Sequence, residues 1–93
     1  MRKDNKHTRP GDIDEGFVKG VKFASENSFK KAEKSFKKVI SSASDNYPSH
    51  FNLALLYFNN DKYKLSLKYA QTAAELNPFD MRANKLLASV HAL

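Results

Sequence analysis

Gly20, Ala54 and Ala88 stand 34 residues apart, as do Phe23, Tyr57 and His91, and Phe29 and Tyr63. A chain of 93 residues that repeats its small and aromatic positions at this interval is built from stacked copies of one supersecondary unit, because a unit so short cannot bury its apolar face alone. Function in such a chain belongs on a surface rather than in an enclosed catalytic pocket.

The spacing of apolar residues places helices within this period. Asp12, followed three residues later by Glu15, reads as an N-cap with its capping-box partner, and Ile13, Phe17, Val21 and Ala24 then share one helical face, giving a first helix over 13–26. Gly16 and Gly20 lie inside it at a cost of about 1 kcal/mol each, so close packing must hold this helix, with close helix contact at Gly20. Asn27-Ser28 interrupts the pattern and caps a second helix over 29–42, where Phe29, Ala32, Phe36, Val39 and Ile40 share a face. Pro48 suits the first turn of a third helix that is apolar almost all round and must be sandwiched between neighbours. Asn59, Asn60 and Asp61 end it. A fourth helix over about 62–76 presents Tyr63, Leu67, Ala70, Ala73, Ala74 and Leu76, and Asn77-Pro78 stops it; Asp80 then caps a fifth over 81–93.

Composition bounds the chemistry. With no cysteine, disulfides and thiolate zinc sites are excluded, and a net charge of +6 tilts the chain toward acidic partners. Residues 1–11, with Arg2, Lys3, Lys6 and Arg9 and the closing Pro10-Gly11, have the composition of a disordered basic leader and carry no apolar segment of a secretory signal. No apolar run is long enough to span a membrane, and the default compartment is the cytoplasm. No catalytic, cofactor or metal constellation emerges. His7 lies in the leader, His50 and His91 hold packing positions of the period, and Gly11, Gly16 and Gly20 form no phosphate-cradling loop.

In the 34-residue register, residues 47–80 resemble a tetratricopeptide repeat: Leu53, Ala54 and Tyr57 stand at the Leu, small and Tyr positions of its first helix, Tyr63 begins its second, and Ala73 and Pro78 take the late Ala and terminal Pro. Residues 13–46 hold Gly20, Phe23, Phe29, Ala32 and Phe36 in the same register, and Leu87, Ala88 and His91 continue it. Gly16 and His50 replace the family Trp, Lys19 its Leu and Ser44 its Pro, while Ser66 and Ala70 replace the usual Ala and large aromatic. The resemblance implies an all-α fold of five helices, antiparallel helix-turn-helix repeats stacked in a short right-handed superhelix. The domain over 12–93 then comprises repeats 13–46 and 47–80 and a terminal or capping helix 81–93. Leu86, Leu87, Val90 and Leu93 of that helix await cover from another chain or from the next helix of a longer array.

In this family the first helix of each pair lines a concave groove, which implies a protein-interaction scaffold binding a peptide or amphipathic helix and no enzyme. The corresponding residues are Phe17, Val21, Phe51, Leu55, Phe58 and Asn59, with Lys85 and Ser89; Phe51, Leu55 and Phe58 are the expected apolar anchors. The competing reading is that two repeats make a shallow groove and some of these side chains are core. Of the carboxylate clamp used by chaperone-binding members only Asn52 and Arg82 match, and Asp14, Val18 and Leu86 at the other positions argue against that ligand. One alternative is self-association through helix 81–93 or the groove. Another is contact of Lys30, Lys34, Lys37 and Lys38 with nucleic acid or an anionic surface, although a solvated outer face accounts for these lysines more simply.

Overall fold

The computed structural model describes residues 10–93, which form five helices: α1 (Pro10–Ser25), α2 (Phe29–Ser42), α3 (Tyr47–Asn59), α4 (Tyr63–Leu76) and α5 (Met81–His91). Residues 1–9 of the expected leader, His7 included, lie outside the described residues. Pro10 and Gly11 are not leader but the first turn of α1, a position that suits proline because its missing N–H would find no partner there. Asp12 is consequently a first-turn residue rather than the N-cap, where its charge still complements the helix dipole. At the other end α5 stops at His91, two residues short of the expected boundary.

Both helix pairs turn in the same way. Asn27 and Asp61, one period apart, have φ of 61° and 62°, the left-handed conformation that short polar side chains tolerate best after glycine. Ser28 N–H then donates to Phe23 O at 2.8 Å and Lys62 N–H to Tyr57 O at 2.9 Å, closing each helix with the same backbone motif. The side chain of Ser28 makes no cap hydrogen bond, contrary to expectation, because the backbone has already taken over the turn. Side chains do cap α3 and α5: Asn46 accepts from Ser49 N–H at 3.0 Å and Asp80 from Arg82 N–H at 2.9 Å.

Consecutive helices pack on one another, and α3 touches all four others, as its all-round apolar sequence requires. Ala32, Phe36, Leu53, Leu56 and Tyr57 form a buried cluster where α1–α2 meets α3, with Tyr69 of α4 against it. A second cluster joins Ala54, Ala70 and Leu86 and carries the stack into α5. The α1 glycines are explained by α2. A Cβ on Gly20 would lie 2.5 Å from Phe36 Cε1, and one on Gly16 would lie 2.8 Å from Val39 Cγ2. Tyr57, wholly buried, reaches back to donate to Glu33 Oε2 at 2.6 Å, and Ser66 Oγ donates to Ala54 O at 2.8 Å.

Of the two histidines expected to pack, His50 does. It is buried beside Tyr69 with ring centroids 5.9 Å apart, and its Nε2 lies 2.8 Å from Ser44 O. His91 is exposed, because no described helix covers the side of α5 that corresponds to the packed faces of Phe23 and Tyr57.

Candidate functional site

The first helices of the two pairs, α1 and α3, approach one another over a short length and leave a cleft of about 180 Å³ between their C-terminal halves. Ala24 and Asn27 from the end of α1, Phe29 at the start of α2, and Asn52, Leu55, Leu56, Asn59 and Asn60 around α3 line it. Three of the residues expected in the groove, Asn52, Leu55 and Asn59, are thus brought together. Their spacing of three or four residues puts them on one face of α3.

The cleft is more polar than the apolar groove expected. Four of its lining residues are asparagines, and two are already oriented by their own helix: Asn52 Nδ2 donates to Pro48 O and Asn60 Nδ2 to Leu56 O, both at 2.8 Å. Each of these bonds uses an N–H of the amide and leaves the acceptor capacity of Oδ1 unspent, while Asn59 and Asn27 are exposed. Asn27 and Asn60 went unnoticed as groove residues because the turns that place them beside α3 come from the left-handed backbone, not from helical spacing. The available signal was the polar turn residues themselves: Asn27 stands one period before Asp61, and Asn60 precedes Asp61 directly.

The three phenylalanines expected in the groove, Phe17, Phe51 and Phe58, are half-buried and are not among the residues that line the cleft; each packs against another aromatic side chain. Phe17 lies 5.9 Å from the ring of Phe36, Phe58 makes an edge contact with Tyr63 at 5.6 Å, and Phe51 stacks on Tyr47 at 6.1 Å. Phe51 and Phe58 also pack against the second cluster, as Leu55 does. Their exposure was misjudged because α5 and α4 close over faces that the period alone marks only as first-helix positions.

Arg82 is likewise engaged. Its guanidinium forms a two-pronged pair with Asp80, with Nη2 at 2.7 Å from Oδ2 and Nε at 3.1 Å from Oδ1, and lies 5.1 Å from the centroid of Phe51. The pair holds Asp80 well below the usual carboxylate range. Tyr47 sits against it without a well-aligned hydrogen bond; burial first, and the Asp80 carboxylate second, push its phenol up. Arg82 therefore fastens α5 to the start of α3. Asp14 and Val18 are exposed and Leu86 is buried, so the remaining clamp positions offer no cationic donor.

Val21 and Lys85 are exposed on α1 and α5 and are not among the residues that line the cleft. The lysines of α2 divide. Lys37 pairs with Glu33 at 3.7 Å and Lys30 lies 5.8 Å from the Phe29 ring centroid, whereas Lys34 and Lys38 border a separate trough between α1 and α2. The turn after α4 also carries Phe79, 94% exposed and missed by helical spacing because it lies in no helix. Among the described residues no group of His, Cys, Asp and Glu could hold a metal ion, and no helix is long and apolar enough to cross a membrane.

No curated relative matches the chain. Residues 47–80 match the family model of the tetratricopeptide repeat, the segment that runs from the start of α3 to the cap of α5. Set on five helices packed in sequential pairs, that match fits a tetratricopeptide-repeat assignment, with residues 47–80 as one repeat.

Proposed function

We propose that the chain is a non-catalytic protein-interaction module that takes an extended peptide into the α1–α3 cleft. The observation that carries this reading is the convergence of Asn27, Asn52, Asn59 and Asn60 around Leu55. A carboxamide offers a donor and an acceptor together, so it matches the alternating N–H and C=O groups of an extended backbone whatever the side chains. Leu55, half-buried at the cleft, supplies the apolar contact. An amphipathic helix satisfies its own backbone and would leave these amides without partners, so the extended peptide is favoured.

The test is selection of peptides from a random displayed library on the wild-type chain, followed by affinity measurement on variants. Asn52→Ala/Asn59→Ala is expected to weaken selected peptides at least tenfold and Leu55→Glu to abolish binding, with helix content unchanged by circular dichroism. Selected peptides that bind the double variant as tightly as wild type would remove the cleft from consideration.

A further inference from the structure

A trough of about 700 Å³ runs between α1 and α2 on the side of the first helix pair away from α3, separate from the cleft. Ile13, Phe23 and Val39 line its floor and Lys19, Lys22, Lys34 and Lys38 its rim. The 34-residue register states what a surface at this position ordinarily does. Moved on by one period, Lys19, Lys22, Phe23 and Ser35 become Leu53, Leu56, Tyr57 and Tyr69, the residues that form the buried cluster with Ala32 and Phe36 of α2. The trough is therefore the first pair's version of the surface that receives α2 in the second. Its shape and apolar floor are retained, while two leucines and a tyrosine are replaced by two lysines and a serine.

We propose that this trough docks an acidic amphipathic α-helix of a partner protein, seated on α1–α2 as α2 is seated on α3–α4. The four lysines are exposed, and none of their side chains forms an ion pair among the described residues, so their charge is available to a ligand. An apolar helix would strip water from these ammonium groups without compensation, whereas Glu or Asp beside an apolar stripe would pair with them.

The charge is uneven, and this sets a direction. Gly16 opposite Val39 and Gly20 opposite Phe36 show that α1 and α2 run antiparallel, so Lys19, Lys22 and Lys34 gather at one end, while Asp12 and Glu15 accompany Lys38 at the other. A helix running antiparallel to α1, as α2 runs antiparallel to α3, brings its first turns to the three lysines. Acidic residues in those turns complement both the lysines and the helix's own dipole. The helices α2 to α5 carry no acidic residue in their first turn, and α1, whose first turn holds Asp12, is already packed against α2 and α3 of its own chain, so a second copy has no free helix that supplies that match. The apolar floor favours a helix over a nucleic acid strand, for which the lysines alone would suffice.

The experiment uses three labelled synthetic 18-residue peptides of high helix content: one with an apolar i, i+3, i+4, i+7 stripe and Glu flanks concentrated in its first turns, one with the same stripe and Lys flanks, and one with the acidic composition scrambled out of helical spacing. Anisotropy is read on the full chain at low and moderate salt. The acidic patterned peptide is expected to bind at least tenfold more tightly than the other two and to weaken with salt. Lys19→Glu/Lys38→Glu and, as an independent pair, Lys22→Glu/Lys34→Glu should each reverse the preference toward the Lys-flanked peptide, while peptides selected on the α1–α3 cleft retain their affinity. The proposal is overturned by equal affinity for the patterned and scrambled peptides, by unchanged preference in both variants, or by an oligothymidylate binding more tightly than the acidic helix. It is likewise overturned if a concentration series shows a second copy occupying the trough and excluding the peptide.

Discussion

In the first helix pair Gly20 faces Phe36, and one period later Ala54 faces Ala70 in the second cluster. The same contact between a first and a second helix is made once by no side chain against a large ring and once by two methyl groups. The aromatic volume missing at Ala70 is provided by Tyr69, whose ring lies 5.7 Å from Tyr57 and against both clusters. The lesson is that a repeat conserves the sum of volumes across a contact rather than the residue at each position, because close packing penalises both the void and the clash.

The largest expected effect comes from emptying the first contact. Phe36→Ala is expected to cost about 3–5 kcal/mol in urea unfolding, since Gly20 opposite has nothing with which to fill the space. Gly20→Ala tests the other side of the contact: its intrinsic helix gain of about 1 kcal/mol should be outweighed by about 1–3 kcal/mol of crowding against the Phe36 ring. Adding Phe36→Leu should recover part of that loss, so a double-mutant cycle on these two sites is expected to be non-additive, while Ala54→Gly simply loses about 1 kcal/mol. Full additivity at Gly20 and Phe36 would break the comparison.

Tyr57 and Phe23 differ by one hydroxyl at the same repeat position, and the hydroxyl of Tyr57 is bonded to Glu33. Tyr57→Phe should cost about 1.5–3 kcal/mol, the range for a hydrogen bond to a charged group. Burial first, then Glu33, push this phenol well up, so the folded chain keeps a proton that the unfolded chain begins to lose near pH 10. The contribution is whole below that pH and is lost as pH rises through the raised folded value; chemical denaturation at pH 8 to 11 should show wild-type stability falling more steeply than that of Tyr57→Phe.

Smaller effects sharpen the picture. Ser66 stands where the first pair has Ala32, both wholly buried, so Ser66→Ala converts one pair to the other and should cost about 0.5–1.5 kcal/mol for the bond to Ala54 O. Lys37→Ala removes an exposed pair with Glu33 on α2 and should change stability by less than about 0.5 kcal/mol, within the scatter of thermal melts.

Much of this architecture was legible in the residues. The faces of α2 and α3 follow from Phe29 to Ile40 and from the all-round apolar run at Leu53 to Phe58, and Asp80 capped α5 where helical signals place a cap. The start of α1 was misplaced because Asp12 and Glu15 mimic a capping box that lies within the first turns. Ser66 was overlooked as core because its burial depends on a carbonyl twelve residues away. The cleft was half legible: Asn52, Leu55 and Asn59 follow from helical spacing, while the packing of the expected aromatic anchors does not, since the surroundings of Phe51 depend on Tyr47 and Arg82, which belong to the start of α3 and to α5.

The sequence by itself determined the repeat, its period, the five helices and the places where they turn. These rest on local physics: helical spacing, proline geometry and polar residues at positions needing a left-handed backbone. Only the tertiary structure decided which first-helix residues are exposed, that four asparagines share one cleft, and that two of the lysines on α2 join two on α1 around an apolar floor. Those are properties of facing surfaces, and a side chain's exposure is set by the volume and charge of whatever lies across from it, which no periodicity within one chain segment records.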